Sequence, residues 1–326
     1  MEVGVIGCGV MGKNHVRVYS ELKSVDQIYV YDPDPNAVKY LPSTCESVTF
    51  CPTIADLIQK VDAASICVPT PYHYAVAKQL IEAHIPVLIE KPICQTVKEA
   101  EDLVNLIPDD LTVGVGHIER FNAIIPELAQ IIKHPHYIEI NRHNPASSRI
   151  VGTSIIEDLM IHDIDLLFNL FPIKSWSLAC SGGDDVATAL FTINDCPAIL
   201  TASRKSSKKV RRIYIEEEYF TVEGDFMAQE LYIHRKPGRF SIEGERYSQE
   251  TTIEKVQVNK SEPLKKELKT FIRAVRDKKK FPVTPKQALN ALVLCEQVRN
   301  GLQRKGHQSW RESVGSAVAD KSISPS

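Results

Sequence analysis

A chain of 326 residues, 43% hydrophobic and 25% charged, is long enough for two domains that each bury a full core, which excludes a disordered chain, a collagen and a small disulfide scaffold. Lys and Arg total 39 against 41 Asp and Glu, a formal charge of -2. No basic field exists to hold nucleic acid or an anionic membrane, so the expected partner is a small molecule. Residues 1–7 carry a glutamate and two glycines where a secretory leader needs a basic end and an apolar stretch, and no run approaches the roughly 18 apolar residues of a membrane span. A cytoplasmic location is expected. The 8 cysteines (Cys8, Cys45, Cys51, Cys67, Cys94, Cys180, Cys196 and Cys295) include no C-x-x-C pair. They read as reduced core residues, and no metal site is expected.

From Val3 to about Val115, short apolar runs at 3–6, 28–31, 64–68, 86–89 and 111–115 alternate with helical patterns. Such runs are strands buried on both faces, and the alternation predicts a parallel sheet with right-handed crossovers. Thr53 with Asp56, and Thr96 with Glu99, mark helix starts of the capping-box type. The first strand runs straight into Gly7-Cys8-Gly9-Val10-Met11-Gly12. In a G-x-G-x-x-G so placed, the first glycine allows a tight turn, the second lets backbone approach a pyrophosphate, the third lets helix pack on strand, and the helix N-terminus supplies amides. The alternative is a glycine turn that holds no nucleotide. Asp32 ends the second run about 20 residues beyond Gly12, where a carboxylate accepts from adenosine ribose hydroxyls and repels a 2′-phosphate. With Pro33 next in line, NAD is expected rather than NADP, against Lys13 and Lys39 as possible phosphate contacts; otherwise Asp32 is a solvated strand end.

Glu90-Lys91-Pro92 stands at the carboxyl end of a later strand, the end at which open α/β sheets bind ligands. A lysine there polarises a substrate oxygen or moves a proton, unless it is an ordinary surface lysine. After about His117 two helical patterns, near 124–133 and 154–170, precede strand-like segments from Ser175 to Val258 with turns such as Ser181-Gly182-Gly183-Asp184 and Lys236-Pro237-Gly238. These predict an α+β domain with a mostly antiparallel sheet. Helices are expected over 263–278 and 284–303. In the second helical pattern Asp158, His162 and Asp165 fall at i, i+4 and i+7, a polar stripe inside an apolar helix, suited to acid/base chemistry if it faces a wet site. A satisfied structural histidine and a divalent-metal site are the alternatives.

Taken in order, the glycine motif with His15, Glu90-Lys91-Pro92, Arg120-Phe121-Asn122, and Asp158 with His162 and Asp165 resemble the Gfo/Idh/MocA oxidoreductases. The resemblance runs from residue 1 to about 305. It implies a Rossmann NAD-binding domain over residues 1–118, a substrate-binding and oligomerisation domain with a large open sheet over 119–312, and a flexible tail over 313–326. It also implies Lys91, Asp158 and His162 as the catalytic trio, with His162 exchanging the proton of the substrate hydroxyl. Val68, Thr70 and His73 then lie along the dinucleotide with Glu90 and Lys91, and His117, Arg120 and Asp165 address substrate. Where the family has a glycine two residues after the aspartate, this chain has Met160. Residues 116–122 and 158–165 look most like the UDP-N-acetylglucosamine 3-dehydrogenases of the family. Arg120, Arg142 and the basic residues of 204–212 are candidate contacts for such a diphosphate, although the basic run also fits a solvated strand face balanced by Glu216-Glu217-Glu218. A homodimer or homotetramer is expected. The rival readings are a non-catalytic NAD-binding regulator and another family reaction: inositol or free-sugar dehydrogenation, biliverdin-type reduction or redox-assisted glycoside cleavage.

Overall fold

The computed structural model describes residues 1–37, 48–145, 154–237, 240–243 and 246–303, with side chains described outside 240–249. The expected tail at 313–326, and Lys39, Cys45 and Gly238, lie outside these residues. The chain forms two compact units, one made of Met1–Phe121 with Ser261–Val293, the other of Asn122–Lys260 with the chain from Leu294 onward.

In the first unit the strands are Glu2–Ile6 (β1), Gln27–Tyr31 (β2), Val48–Phe50 (β3), Ala63–Ile66 (β4), Val87–Glu90 (β5) and Val113–Gly116 (β6). They pair in parallel in the order β3-β2-β1-β4-β5-β6. The order reverses between β1 and β4, which places a topological switch point beyond their carboxyl ends. Every residue of β4, β5 and β6 is buried, as strands covered on both faces must be. The crossover helices are Val10–Ser20 (α1), Ile54–Ile58 (α2), His73–Glu82 (α3) and Val97–Leu106 (α4). Thr96 and Glu99 form the reciprocal capping box, the Glu99 amide donating to Thr96 Oγ1 at 3.2 Å and the Thr96 amide to Glu99 Oε2 at 3.0 Å. At α2 only half of that motif forms: the Asp56 amide donates to Thr53 Oγ1, while the Asp56 carboxylate accepts from the Thr53 hydroxyl instead of reaching the cap amide.

The helix Pro263–Arg276 (α7) belongs by contact to this first unit, whereas the sequence placed it in the second domain. Its apolar face, Leu264, Leu268, Phe271 and Ile272, is buried in the core of the parallel sheet. The segment after it is tied to β6 and its flank: Thr112 Oγ1 donates to the Lys279 carbonyl and the Val115 amide to that of Val283, both at 3.1 Å. Phe281 lies with its ring 5.6 Å from Phe121 and 6.0 Å from Phe271, 1% exposed. Chain order suggested one domain after another; burial of this apolar stripe decides otherwise.

The second unit contains Ile124–Ile131 (α5), Tyr137–His143 (β7), a π-helical stretch at Ile156–Met160, Ile161–Leu170 (α6), then Trp176–Gly182 (β8), Val186–Ile193 (β9), Cys196–Ser203 (β10), Val210–Glu216 (β11), Phe220–Asp225 (β12), Glu230–Arg235 (β13) and Ile253–Val256 (β16), with a separate hairpin of Phe240–Glu243 (β14) and Arg246–Gln249 (β15). The eight-stranded sheet has the order β16-β13-β12-β11-β7-β10-β9-β8 and is antiparallel except where β10 runs parallel to β7. Strand β7, absent from the sequence reading, lies inside this sheet. Its alternation of half-buried and buried residues puts Ile138, Ile140 and Arg142 on the covered face. The last helix, Pro285–Gln303 (α8), begins in the first unit and ends in the second. Among the described residues no helix is long and apolar enough to cross a membrane.

Phe281→Ala removes a fully buried ring and is expected to cost about 3–5 kcal/mol of unfolding free energy in urea. A cost below about 1 kcal/mol would contradict the packing of residues 261–293 against β6.

Candidate active site

The glycine turn between β1 and α1 is built by close packing. Gly7 has φ +92°, and a Cβ there would lie 2.7 Å from the Val68 amide nitrogen and 2.8 Å from the Cys67 carbonyl; one on Gly12 would lie 1.8 Å from the Gly7 carbonyl oxygen. Both positions require glycine for the chain's own sake. At Gly9 a Cβ would meet nothing within 4 Å, so there the bare backbone serves whatever comes to lie over the turn. This is the cradle that a pyrophosphate fits, with the first amides of α1 beside it.

Asp32 is held over this turn. Its Oδ2 accepts from the Cys8 amide at 2.6 Å and its Oδ1 from the Asp34 amide at 2.9 Å, one bond to each oxygen, which leaves each oxygen further acceptor capacity for ribose hydroxyls. Burial, then the charge of Asp32, pushes the Cys8 thiol up to about 11, so at neutral pH it stays a thiol.

At the end of β5 Lys91 is half-buried, while Glu90 before it is turned inward. Glu90 Oε1 pairs with His15 Nε2 of α1 at 2.9 Å, and Glu90 Oε2 accepts from the Lys91 amide at 3.3 Å. The Lys91–Pro92 peptide is cis. His73 is 1% exposed, with Nδ1 at 2.8 Å from the Pro92 carbonyl and Nε2 at 2.9 Å from that of Val68. Both ring nitrogens are used on backbone, so His73 ties the loop after β4 to the loop after β5 rather than reaching out to a ligand. Burial pushes its pKa down against the two carbonyl contacts and Glu90, which raise it. Val68 and Thr70, on the loop so tied, are half-buried. His117 is buried beyond β6 and Arg120 is half-buried in the turn that follows.

In the second unit, the segment expected to be one α-helix changes backbone geometry within the polar stripe. The π-helical stretch Ile156–Met160 contains Asp158 and ends where α6 begins, just before His162. Such insertions re-aim side chains and recur at functional sites. Asp158 and His162 are half-buried, but Asp163 and Asp165 are buried. Asp165 accepts from Asn169 Nδ2 at 3.1 Å, one helical turn on. Asp158 accepts from Arg204 at 3.1 Å, and the neighbouring Glu157 from Arg299 at 2.8 Å. Met160, at the family's glycine position, is fully buried.

Asp163, which the sequence reading did not single out, accepts from Arg142 in bidentate fashion, Nε at 3.0 Å and Nη2 at 2.7 Å. Arg142 is 1% exposed and lies over the Phe226 ring. This corrects its candidacy as a diphosphate contact: its fork is engaged inside the unit and pins β7 to α6. The parity of β7 held the signal, since a charge on the face of Ile138 and Ile140 demands a buried partner. Of the basic run, Arg204 meets Asp158 and Lys205 meets Asp185 at 2.7 Å, while Glu217 caps the Lys133 and His134 amides. Among the described residues no group of three or more His, Cys, Asp or Glu could hold a metal ion.

A family model described as an oxidoreductase family with an NAD-binding Rossmann fold matches residues 1–117. The UDP-N-acetylglucosamine 3-dehydrogenase of Acidithiobacillus ferrooxidans is 32% identical over 288 residues, which are 84% of this chain and 88% of that protein. The chain belongs to the Gfo/Idh/MocA oxidoreductase family. A solved structure of a UDP-N-acetylglucosamine 3-dehydrogenase from the same organism matches with a TM-score of 0.82 at 28% identity, covering 93% of this chain and 97% of that one. An inositol 2-dehydrogenase from Acidothermus cellulolyticus is 29% identical over 185 residues, 52% of this chain and 53% of that protein. The family match spans the glycine cradle, Asp32, the Glu90-Lys91 strand end and His117.

Arg142→Met leaves Asp163 buried without its guanidinium and is expected to cost about 3–5 kcal/mol in urea unfolding, whereas Arg142→Met with Asp163→Leu recovers most of the loss. Equal losses in the single and double variants would show that the pair does not act as a unit.

Proposed function

We propose that this oxidoreductase is an NAD-dependent dehydrogenase of a nucleotide sugar, acting on the C3 hydroxyl of UDP-N-acetylglucosamine or a close relative of it. The observation that carries this reading is the extent of the similarity to the Acidithiobacillus dehydrogenase, 84% of one chain and 88% of the other, joined to a glycine cradle whose Cys8 amide donates to Asp32. The inositol 2-dehydrogenase similarity favours a second reading, oxidation of a cyclic polyol, which lacks any need for diphosphate contacts. A protein that only holds NAD would give neither activity.

The dinucleotide, when bound, supplies nicotinamide C4 as hydride acceptor or donor. The amides at the start of α1 hold its pyrophosphate, with Gly9 as the bare backbone beneath it. Asp32 accepts from the adenosine ribose and disfavours a 2′-phosphate. Val68, Thr70 and Lys91 line the remainder, and Glu90 and His73 position them from below. Lys91 Nζ donates to the substrate oxygen and favours its negative charge. A ring nitrogen of His162 takes the hydroxyl proton during oxidation and returns it in the reverse direction. Asp158, oriented by Arg204, keeps a negative charge beside the imidazole that becomes cationic. Arg120 is a candidate for the sugar diphosphate, with His117 close to it in sequence. Asp165, bonded to Asn169 inside α6, acts by holding the helix. We further assign a cytoplasmic, homodimeric or homotetrameric enzyme, for which the exposed Val186 and Leu190 on one face of β9 offer an apolar contact.

His162→Ala is expected to lower turnover at least about a hundredfold while NADH titration stays near native; near-native turnover would remove its role. Asp32→Ala is expected to weaken NADH binding and narrow the preference over NADPH, measured by fluorescence titration of both. Unchanged NADH affinity would overturn the ribose assignment.

A further inference from the structure

Glu267 lies on the face of α7 that also carries Leu264, Leu268 and Phe271, and like them it is buried, with 0% exposure. Among the described residues neither carboxyl oxygen has a hydrogen-bond partner. The charge that bears on it is that of Glu90, itself 8% exposed. Two carboxyls in one buried pocket cannot both ionise without a cost of several kcal/mol. The donors decide which one does. Glu90 has His15 Nε2 at 2.9 Å and the Lys91 amide at 3.3 Å; Glu267 has neither. Burial first, and the Glu90 charge second, push the Glu267 carboxyl far above the ordinary range. At Glu90 burial acts in the same direction, but the hydrogen bond and charge of His15, with Lys91 and His73, outweigh it and hold that carboxyl low.

We propose that Glu267 is a positioning residue of the catalytic strand end: it carries the proton of a two-carboxyl pocket, so that the pocket's single negative charge stays on Glu90, beneath Lys91. This rests on the assignment of Lys91 to the reacting oxygen made above. A second negative charge in the pocket would draw His15 and the Lys91 segment away from the geometry seen here. The other titratable groups that Glu267 bears on are Tyr19 of α1 and Cys67 after β4, both raised by burial in the first place. The turn 118–121, with Glu119 and Arg120, also packs on α7.

Glu267 keeps its proton in the folded chain where the unfolded chain has lost it, so folding takes up a proton, and the folded state loses about tenfold in its equilibrium for each pH unit from about 4.3 up to the pH at which Glu267 itself ionises in the folded chain. The Glu267→Gln variant has no such proton, and the difference between wild type and E267Q isolates this slope from the histidines. Infrared spectra of the full chain at neutral pH are expected to contain the carbonyl band of a protonated carboxylic acid, lost in E267Q, and NADH is expected to shift that band. Absence of the band, or an equal pH slope in the two proteins, overturns the placement of the proton. A band that bound NADH leaves unmoved overturns the positioning role. If titration shows that NADH does not bind at all, the dehydrogenase reading fails and the positioning role with it, while band and slope still decide where the proton sits. Should E267Q not fold, Glu90→Gln replaces it: the wild-type band must then titrate away at lower pH, and an unchanged titration overturns the proposal.

Discussion

The site depends on one steric constraint: between β1 and α1 the chain passes so close to the end of β4 that no side chain fits at Gly7, and folds so close on the Gly7 carbonyl oxygen that none fits at Gly12. That contact fixes where α1 begins and therefore where its unpaired amides point. It also brings the Cys8 amide onto Asp32, so that the carboxylate proposed for the ribose is hydrogen-bonded to the turn proposed for the pyrophosphate. Gly9, under no steric demand from the chain, is the residue whose smallness is left over for a ligand.

Beneath this surface the protein uses buried polar groups as fasteners. His15 joins α1 to the end of β5 through Glu90, and His73 joins the loops after β4 and β5 through two carbonyls. In the other unit Arg142 joins β7 to α6 through Asp163. Removing charge from water costs several kcal/mol per ion unless geometry and partners are good. Each fastener lies within a residue or two of a position assigned a chemical role: Glu90 precedes Lys91, His73 meets the loop holding Thr70, and Asp163 follows His162. Fixing direction at these points is the return for that cost, since a catalytic group misplaced by an ångström loses much of its effect.

Much of this was legible in the residues. Five of the six strands of the parallel sheet, the glycine turn and its acidic partner, and the order of most helices and strands afterwards follow from periodicity and turn chemistry. The edge strand β3 and the interior strand β7 do not: β3 is only Val48–Phe50, and β7 mixes Asn141, Arg142 and His143 into its apolar alternation. The unit that α7 joins does not follow from the sequence, because periodicity tells that a helix has an apolar face and not which core takes it. Three charges in core registers were readable and unread. Arg142 shares parity with Ile138 and Ile140, Glu267 shares a helix face with Leu264 and Phe271, and Asp163 stands in a helix most of whose residues are apolar. The stripe of Asp158, His162 and Asp165 assumed an unbroken α-helix; no spacing rule announces the π-helical stretch that carries Asp158.

The central claim, that this chain moves hydride from a sugar carbon to a dinucleotide held in the glycine cradle, is tested most directly by mixing the protein with NAD and UDP-N-acetylglucosamine deuterated at C3. The account predicts growth of reduced-nicotinamide absorbance with the deuterium recovered on nicotinamide C4. Absence of reduction with this sugar, with other UDP-sugars and with free sugars and inositols would contradict it, and reduction with inositol alone would move the chain to the polyol reading.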